Sequence, residues 1–109
     1  MILHDTEIKR LVAEQGMIEN FIDHQVKEVG GKKVISYGLS SYGYDVRLAD
    51  TMKIFRGRDG QTFDPKAPKD QHFMLVKGRD VIEIPPHSHA LGYSIERFKI
   101  PRNVMGRVE

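Results

Sequence analysis

With 109 residues, 39% hydrophobic and 29% charged, the chain has the composition of a globular protein rather than a disordered one, and its length suits a single domain over residues 1–109. It has no cysteine, which excludes disulfides, thiol nucleophiles and Cys-based zinc sites, and a net charge of only +2, which is not the dense basic patch of a nucleic-acid binder. No apolar run approaches the roughly 20 residues of a membrane span, and the charged opening "MILHDTEIKR" is not a signal peptide, so the expectation is a cytoplasmic chain without membrane or nucleic-acid partners.

The first element is a helix over "HDTEIKRLVAEQG". Asp5 is the expected N-cap and Glu7 sits well at the positive end of the helix dipole. Ile8, Leu11 and Val12 fall on one face, and Gly16 can close the helix in a left-handed conformation. About three turns are marginal alone in water, so this helix must dock on something, and "MIENFI" is a short extended segment suited to pinning it.

From there the pattern has period two. Gly30 and Gly31 mark a turn before the apolar Val34 and Ile35. "SSYGYDVRLAD", residues 40–50, alternates Tyr44, Val46 and Leu48 with Asp45 and Arg47, which predicts a strand with the first set inward and the second outward. "MKIFRG" continues as strand, and "RDGQTFDPKAPKD" reads as a loop. "HFMLVKG", "DVIEIPP" and "ALGYSIE" are three further strand-like runs, Pro85 and Pro86 marking a turn, and a last strand begins near Val104. One helix followed by six or seven short strands predicts a mainly β sandwich or barrel. Too few strands are present to close a jelly roll, and an unclosed barrel has a free edge open to pairing with another chain.

His87 and His89, two apart, could share one metal on a strand, but with no carboxylate in a supporting pattern they read as turn-flanking polar residues. Gly38 and Gly43 belong to no phosphate-loop spacing and read as bulge or tight-turn glycines. Ser40 and Ser41 lack a nucleophile elbow. Arg97, Lys99, Arg102 and Arg107 could meet a phosphorylated ligand, though a solvated charged face is the simpler account, and Met52, Met74 and Met105 read as core fillers. Asp45 and Arg47 leave two readings open: an exposed ion pair contributing under about 1 kcal/mol, or an aspartate near a Mg²⁺-bound triphosphate.

"ISYGLSSYGYDVRLAD", "TFDPK" and "VIEIPPHSHALGYSIERFKIPRNVMGRVE" together resemble the N-terminal part of dCTP deaminases, members of the dUTPase-like superfamily, and the resemblance runs from the helix at Asp5 to Glu109. It implies an incomplete distorted jelly-roll, dUTPase-like β-barrel with one N-terminal α-helix, a homotrimer with sites between subunits, and hydrolytic deamination of dCTP to dUTP and ammonia. It further implies Mg²⁺ with the triphosphate, no zinc, and a glutamate as general base. Asp45 matches the aspartate of the superfamily's first motif, near the Mg²⁺–triphosphate in dUTPases, and Arg47 and Ser41 adjoin it. The family's Lys/Arg-Ser-Ser/Thr-x-x-Ala-Arg segment and its later T-x-E strand have no counterpart here. No catalytic residue is therefore assigned: neither Glu96 nor Glu109 occupies the motif of the general base. The expectation is a dCTP deaminase truncated before its catalytic segment and inactive as 109 residues. The alternatives are a fragment of a dUTPase or of a bifunctional deaminase–dUTPase, and a non-catalytic nucleotide- or protein-binding module.

Overall fold

The computed structural model describes residues 1–56 and 62–109. Within them lie one α-helix, α1 (Asp5–Gln15), and eight strands: β1 (Ile18–Glu19), β2 (Gln25–Val29), β3 (Lys32–Leu39), β4 (Tyr44–Asp45), β5 (Leu48–Phe55), β6 (Phe73–Lys77), β7 (Ala90–Ser94) and β8 (Arg97–Phe98). The mainly β expectation with one N-terminal helix holds. The strands form three small sheets ordered β1-β8, β2-β3-β4 and β6-β5-β7, and none of them closes on itself. The residues fall into two compact units, one made of Met1–Arg47 and Ser94–Glu109, the other of Leu48–Tyr93.

In the first unit α1 begins at Asp5 itself, one residue earlier than a cap at Asp5 would place it. His4 is the N-cap and makes no side-chain capping bond, while the Asp5 carboxylate accepts from the Thr6 N–H at 2.8 Å. A backbone bond from Asp5 N–H to the Ser41 carbonyl, 2.9 Å, serves one of the free donors of the first turn instead. Gly16 ends the helix at φ 63°, a left-handed conformation that costs glycine little, and its N–H bonds the Val12 carbonyl. The apolar stripe buries Ile8 and Leu11 against Met17, Ile18 and Leu39, with Leu3, Val12, Phe21, Tyr44 and Val104 packed around them. "MIENFI" supplies β1, which pairs antiparallel with β8 through Ile18–Phe98 and Glu19–Arg97, so the segment after the helix is tied to one far along the chain.

β2 and β3 form a hairpin whose turn residues Gly30 and Gly31 have φ 60° and 79°, the positive values such a turn requires. β2 had no sequence expectation, since "QVKEV" lacks clean alternation. The bulge in this ladder falls between Val26 and Glu28 and not at a glycine. Gly38 serves a different need: it is buried at φ 99°, and a Cβ there would run into the His24 carbonyl oxygen.

The second unit is the sheet β6-β5-β7 with the segments that join its strands. β5 and β6 pair antiparallel from Thr51–Lys77 to Phe55–Phe73. Ile54 is buried, and Phe55, Phe63 and Phe73 meet edge to face at 5.4–6.0 Å between ring centres. Two sequence expectations fail. "DVIEIPP" is irregular backbone, because Pro85 and Pro86 end any ladder and Val81 and Ile84 remain exposed. The strand expected near Val104 is likewise absent, since residues 104–109 pair with no other described strand. Residues 58–61 of the expected loop lie outside the described residues, and residues 62–69 are irregular as expected.

Candidate functional site

Asp45, Arg47 and Ser41 all lie in the unit of Met1–Arg47 and Ser94–Glu109, but the structure gives them different environments. β4 is only two residues long, Leu39 opposite Tyr44 and Gly38 opposite Asp45. The ladder stops there, so the inward-outward alternation expected through residue 48 does not continue. Tyr44 is half-buried, whereas Val46 and Leu48 are exposed, and Arg47 turns inward. The expected outward pair of Asp45 and Arg47 is thereby corrected, as is the inward placement of Val46 and Leu48: the strand is interrupted before Arg47, and each charge finds its own partners.

Asp45 is exposed on the sheet β2-β3-β4. Its Oδ2 accepts hydrogen bonds from Gln25 Nε2 at 3.2 Å and from Ser36 Oγ at 3.4 Å, and Gln25 Nε2 also donates to the Gly38 carbonyl at 2.9 Å. Both donors to Asp45 are neutral. The carboxylate faces solvent, which suits it to a cation or to a ligand that carries one.

Arg47 is bound on every side. Its backbone N–H donates to both carboxylate oxygens of Glu96, at 3.2 and 3.1 Å, and its Nε donates to Glu96 Oε1 at 2.8 Å. Its Nη2 donates to the Asn20 carbonyl at 2.9 Å, and its guanidinium carbon lies 5.2 Å from the centre of the Tyr37 ring. Its carbonyl accepts from the Ile95 N–H at 2.9 Å, and Asn20 Nδ2 donates to the Ile95 carbonyl at 3.1 Å. The Glu96 side chain has no exposed surface. A carboxylate taken out of water needs an opposite charge and hydrogen bonds together, and Arg47 provides both. The same contact raises the Arg47 guanidinium above its already high ordinary value.

Tyr44 stands beside this network. Its ring stacks on Phe21 at 5.6 Å and meets Phe98 edge on at 6.2 Å, and its hydroxyl accepts from the Ile22 N–H at 3.2 Å. Burial pushes its phenol above the usual value; the Ile22 N–H acts the other way and the Glu96 charge adds to the rise. Ser41 is exposed in the bend that precedes β4, where the Ser40 N–H bonds the Gly43 carbonyl at 3.0 Å, and its carbonyl accepts from the helix start. Its placement is that of a turn residue.

Glu96, Asn20, Gln25 and Ser36 are the partners that sequence reading missed. A signal existed for Glu96. In "ALGYSIE" it shares its register with the small Ala90, Gly92 and Ser94 and not with Leu91, Tyr93 and Ile95. The structure half-buries Ala90 and Ser94 and buries Glu96, leaving the larger side chains exposed. An acid on the covered side of a strand needs a cation from elsewhere in the chain, and only the fold shows which.

The remaining candidates have ordinary roles. His87 is exposed at φ 57°, and His89 stacks on Phe55 with 4.7 Å between ring centres. No cluster of three His, Asp or Glu side chains placed to hold a metal occurs among the described residues. Lys99 pairs with Glu19 at 2.9 Å and Arg107 with Glu109 at 3.0 Å, as solvated surface charges. Met52 and Met74 are half-buried, but Met105 is exposed and fills no core. No described helix is long and apolar enough to cross a membrane.

Comparison with known proteins agrees with the motif residues. The model of the dCTP deaminase-like family matches residues 2–109. A dCTP deaminase of Azotobacter vinelandii is 50% identical over 104 residues, and one of Pseudomonas syringae pv. tomato is 48% identical over 104; each alignment takes in 95% of this chain and 55% of the relative. A dCTP deaminase of Alcanivorax borkumensis is 51% identical over 105 residues with the same coverage. The chain thus spans about half the length of the curated relatives it matches. With a family match across nearly its whole length and relatives near 50% identity, this chain belongs to the dCTP deaminase-like family.

Proposed function

We propose that the chain serves the hydrolytic deamination of dCTP to dUTP and ammonia as the N-terminal portion of a cytoplasmic, homotrimeric dCTP deaminase, and that these 109 residues alone do not turn over. The observation that carries this reading is the family match over residues 2–109. Asp45, exposed and held by neutral donors, is the residue that would face the Mg²⁺ accompanying the triphosphate. As a single hard oxygen donor it fits an ion that keeps most of its shell as water and phosphate oxygens. The absence of turnover follows from the chemistry at C4 of cytosine. The attacking water must give its proton to a base with a free lone pair beside the substrate. Glu96, the one buried carboxylate among the described residues, offers none: it is closed off from solvent and occupied by Arg47.

The test is release of ammonia and dUTP from dCTP with Mg²⁺. We expect none from the purified 109-residue chain, and turnover once the part of the Azotobacter vinelandii relative outside the match is fused to it. Clear turnover by the 109 residues would overturn the claim of inactivity. A fusion that releases pyrophosphate from dUTP but no ammonia from dCTP would overturn the deaminase reading in favour of a dUTPase.

A further inference from the structure

β4 has two residues and two ladder pairs, too few to hold its own geometry. Just beyond it the backbone of Arg47 is held from both sides, its N–H by the Glu96 carboxylate and its carbonyl by the Ile95 N–H, while its side chain reaches Glu96, the Asn20 carbonyl and the Tyr37 ring. Glu96 gains no solvent contact from this arrangement, and both its carboxylate oxygens are taken up by Arg47. The Ser94 hydroxyl holds the Glu96 carbonyl at 2.7 Å, which fixes the segment carrying the carboxylate. Asp45, two residues upstream, is steadied only at Oδ2, by two neutral donors at 3.2 and 3.4 Å.

We propose that Glu96 is a positioning residue of the nucleotide site: by locking the backbone of Arg47 it sets the end of β4 from which Asp45 meets the Mg²⁺–triphosphate. This rests on the role proposed for Asp45 above. Glu96 touches neither metal nor nucleotide and acts through Arg47. The same covered carboxylate could serve stability alone, and the two roles separate in one measurement, because a purely structural loss weakens the fold without changing the dependence of binding on Mg²⁺.

The experiment titrates dCTP with and without Mg²⁺ into the isotope-labelled 109-residue chain and follows backbone amide shifts. In the unaltered chain we expect saturable, Mg²⁺-dependent shifts at Gln25, Ser36 and Asp45, abolished by Asp45→Asn. Glu96→Gln puts an N–H₂ group against the N–H donors of Arg47, and we expect half-saturation to rise at least fivefold. Leu11→Ala, which opens a cavity in the core, should lower thermal stability and leave half-saturation within twofold. Should Glu96→Gln fail to fold, Arg47→Lys carries the test, since it keeps the backbone bonds to Glu96 but loses the fork to Glu96 and Asn20, with an expected rise of two- to fivefold. Glu96→Gln, or Arg47→Lys in its place, binding like Leu11→Ala overturns the inference and leaves the role of Asp45 intact. An Asp45→Asn chain that responds like the unaltered one, or no Mg²⁺-dependent response in the unaltered chain, overturns the role of Asp45 and the inference with it.

Discussion

The unit of Met1–Arg47 and Ser94–Glu109 gathers five buried apolar side chains around the face of a helix, whereas Leu48–Tyr93 buries Ile54 and spreads the rest of its apolar surface over a sheet. In that sheet Leu75, Leu91 and Tyr93 are 56–60% exposed. A helix presents a stripe that neighbouring strands can enclose; a three-stranded sheet has two faces, and its own residues enclose only part of one. The units also treat buried polar groups differently. The first pairs its buried Glu96 with Arg47, while in the second the buried His72 finds no hydrogen-bond partner for either ring nitrogen among the described residues. Local stability follows the enclosed apolar surface and the satisfied polar groups, and on both counts the first unit is the better built.

The largest effect expected from this contrast is that of Arg47→Ala. It leaves a carboxylate buried without its cation, a loss of about 3–5 kcal/mol. Hydrogen exchange should show protection falling together in Met1–Arg47 and Ser94–Glu109, because Asn20, Arg47 and Glu96 belong to one network; a fall in one segment only would break the claim that they form one cooperative unit.

Next in size is a pair of truncations. Leu11→Ala should cost about 2–5 kcal/mol in chemical denaturation, as buried leucines do, and Leu75→Ala, at an exposed position, less than about 0.5 kcal/mol. Equal costs would mean that the sheet face carries as much packing as the helix stripe.

His72→Phe works in the opposite direction. The His72 ring is met edge on by Phe63 at 5.4 Å, and replacing two unpartnered nitrogens with carbon should raise the melting temperature, by the equivalent of about 1 kcal/mol. A fall of that size would mean that His72 has a partner in solution.

The smallest effect lies at alkaline pH. Burial raises the Tyr44 phenol above its ordinary value of 10.0, so the folded chain holds this proton more tightly than the unfolded chain. The corresponding stability is fully present below pH 10.0 and is lost as pH rises through the raised folded value. Absorbance at 295 nm should reveal a phenol titrating above 10.0 in the folded chain that disappears in Tyr44→Phe.

Much of the first unit could be read along the chain. The stripe of Ile8, Leu11 and Val12, the left-handed close at Gly16 and the turn at Gly30 and Gly31 depend on neighbours a few residues apart, and local sterics and periodicity suffice for them. The motif around Asp45 was legible for another reason: residue identity carries the family resemblance directly. The partners of that motif were not. Whether Arg47 faced water or the interior depended on where the ladder of β4 stopped, and the pairing of Arg47 with Glu96 spans 49 positions. In β7, alternation marked a strand without saying which face would be covered, and the covered side proved to be that of Ala90 and Ser94.

The sequence by itself determined that this is a mainly β chain with one N-terminal helix, of the dCTP deaminase-like kind, because composition, periodicity and motif identity are local properties. Tertiary structure alone decided which strand face is covered, where the ladder at Asp45 ends and which carboxylate Arg47 neutralises. Those outcomes turn on burial and on charges meeting across long separations, since a carboxylate taken out of water can be paired only by a group that the fold brings to it.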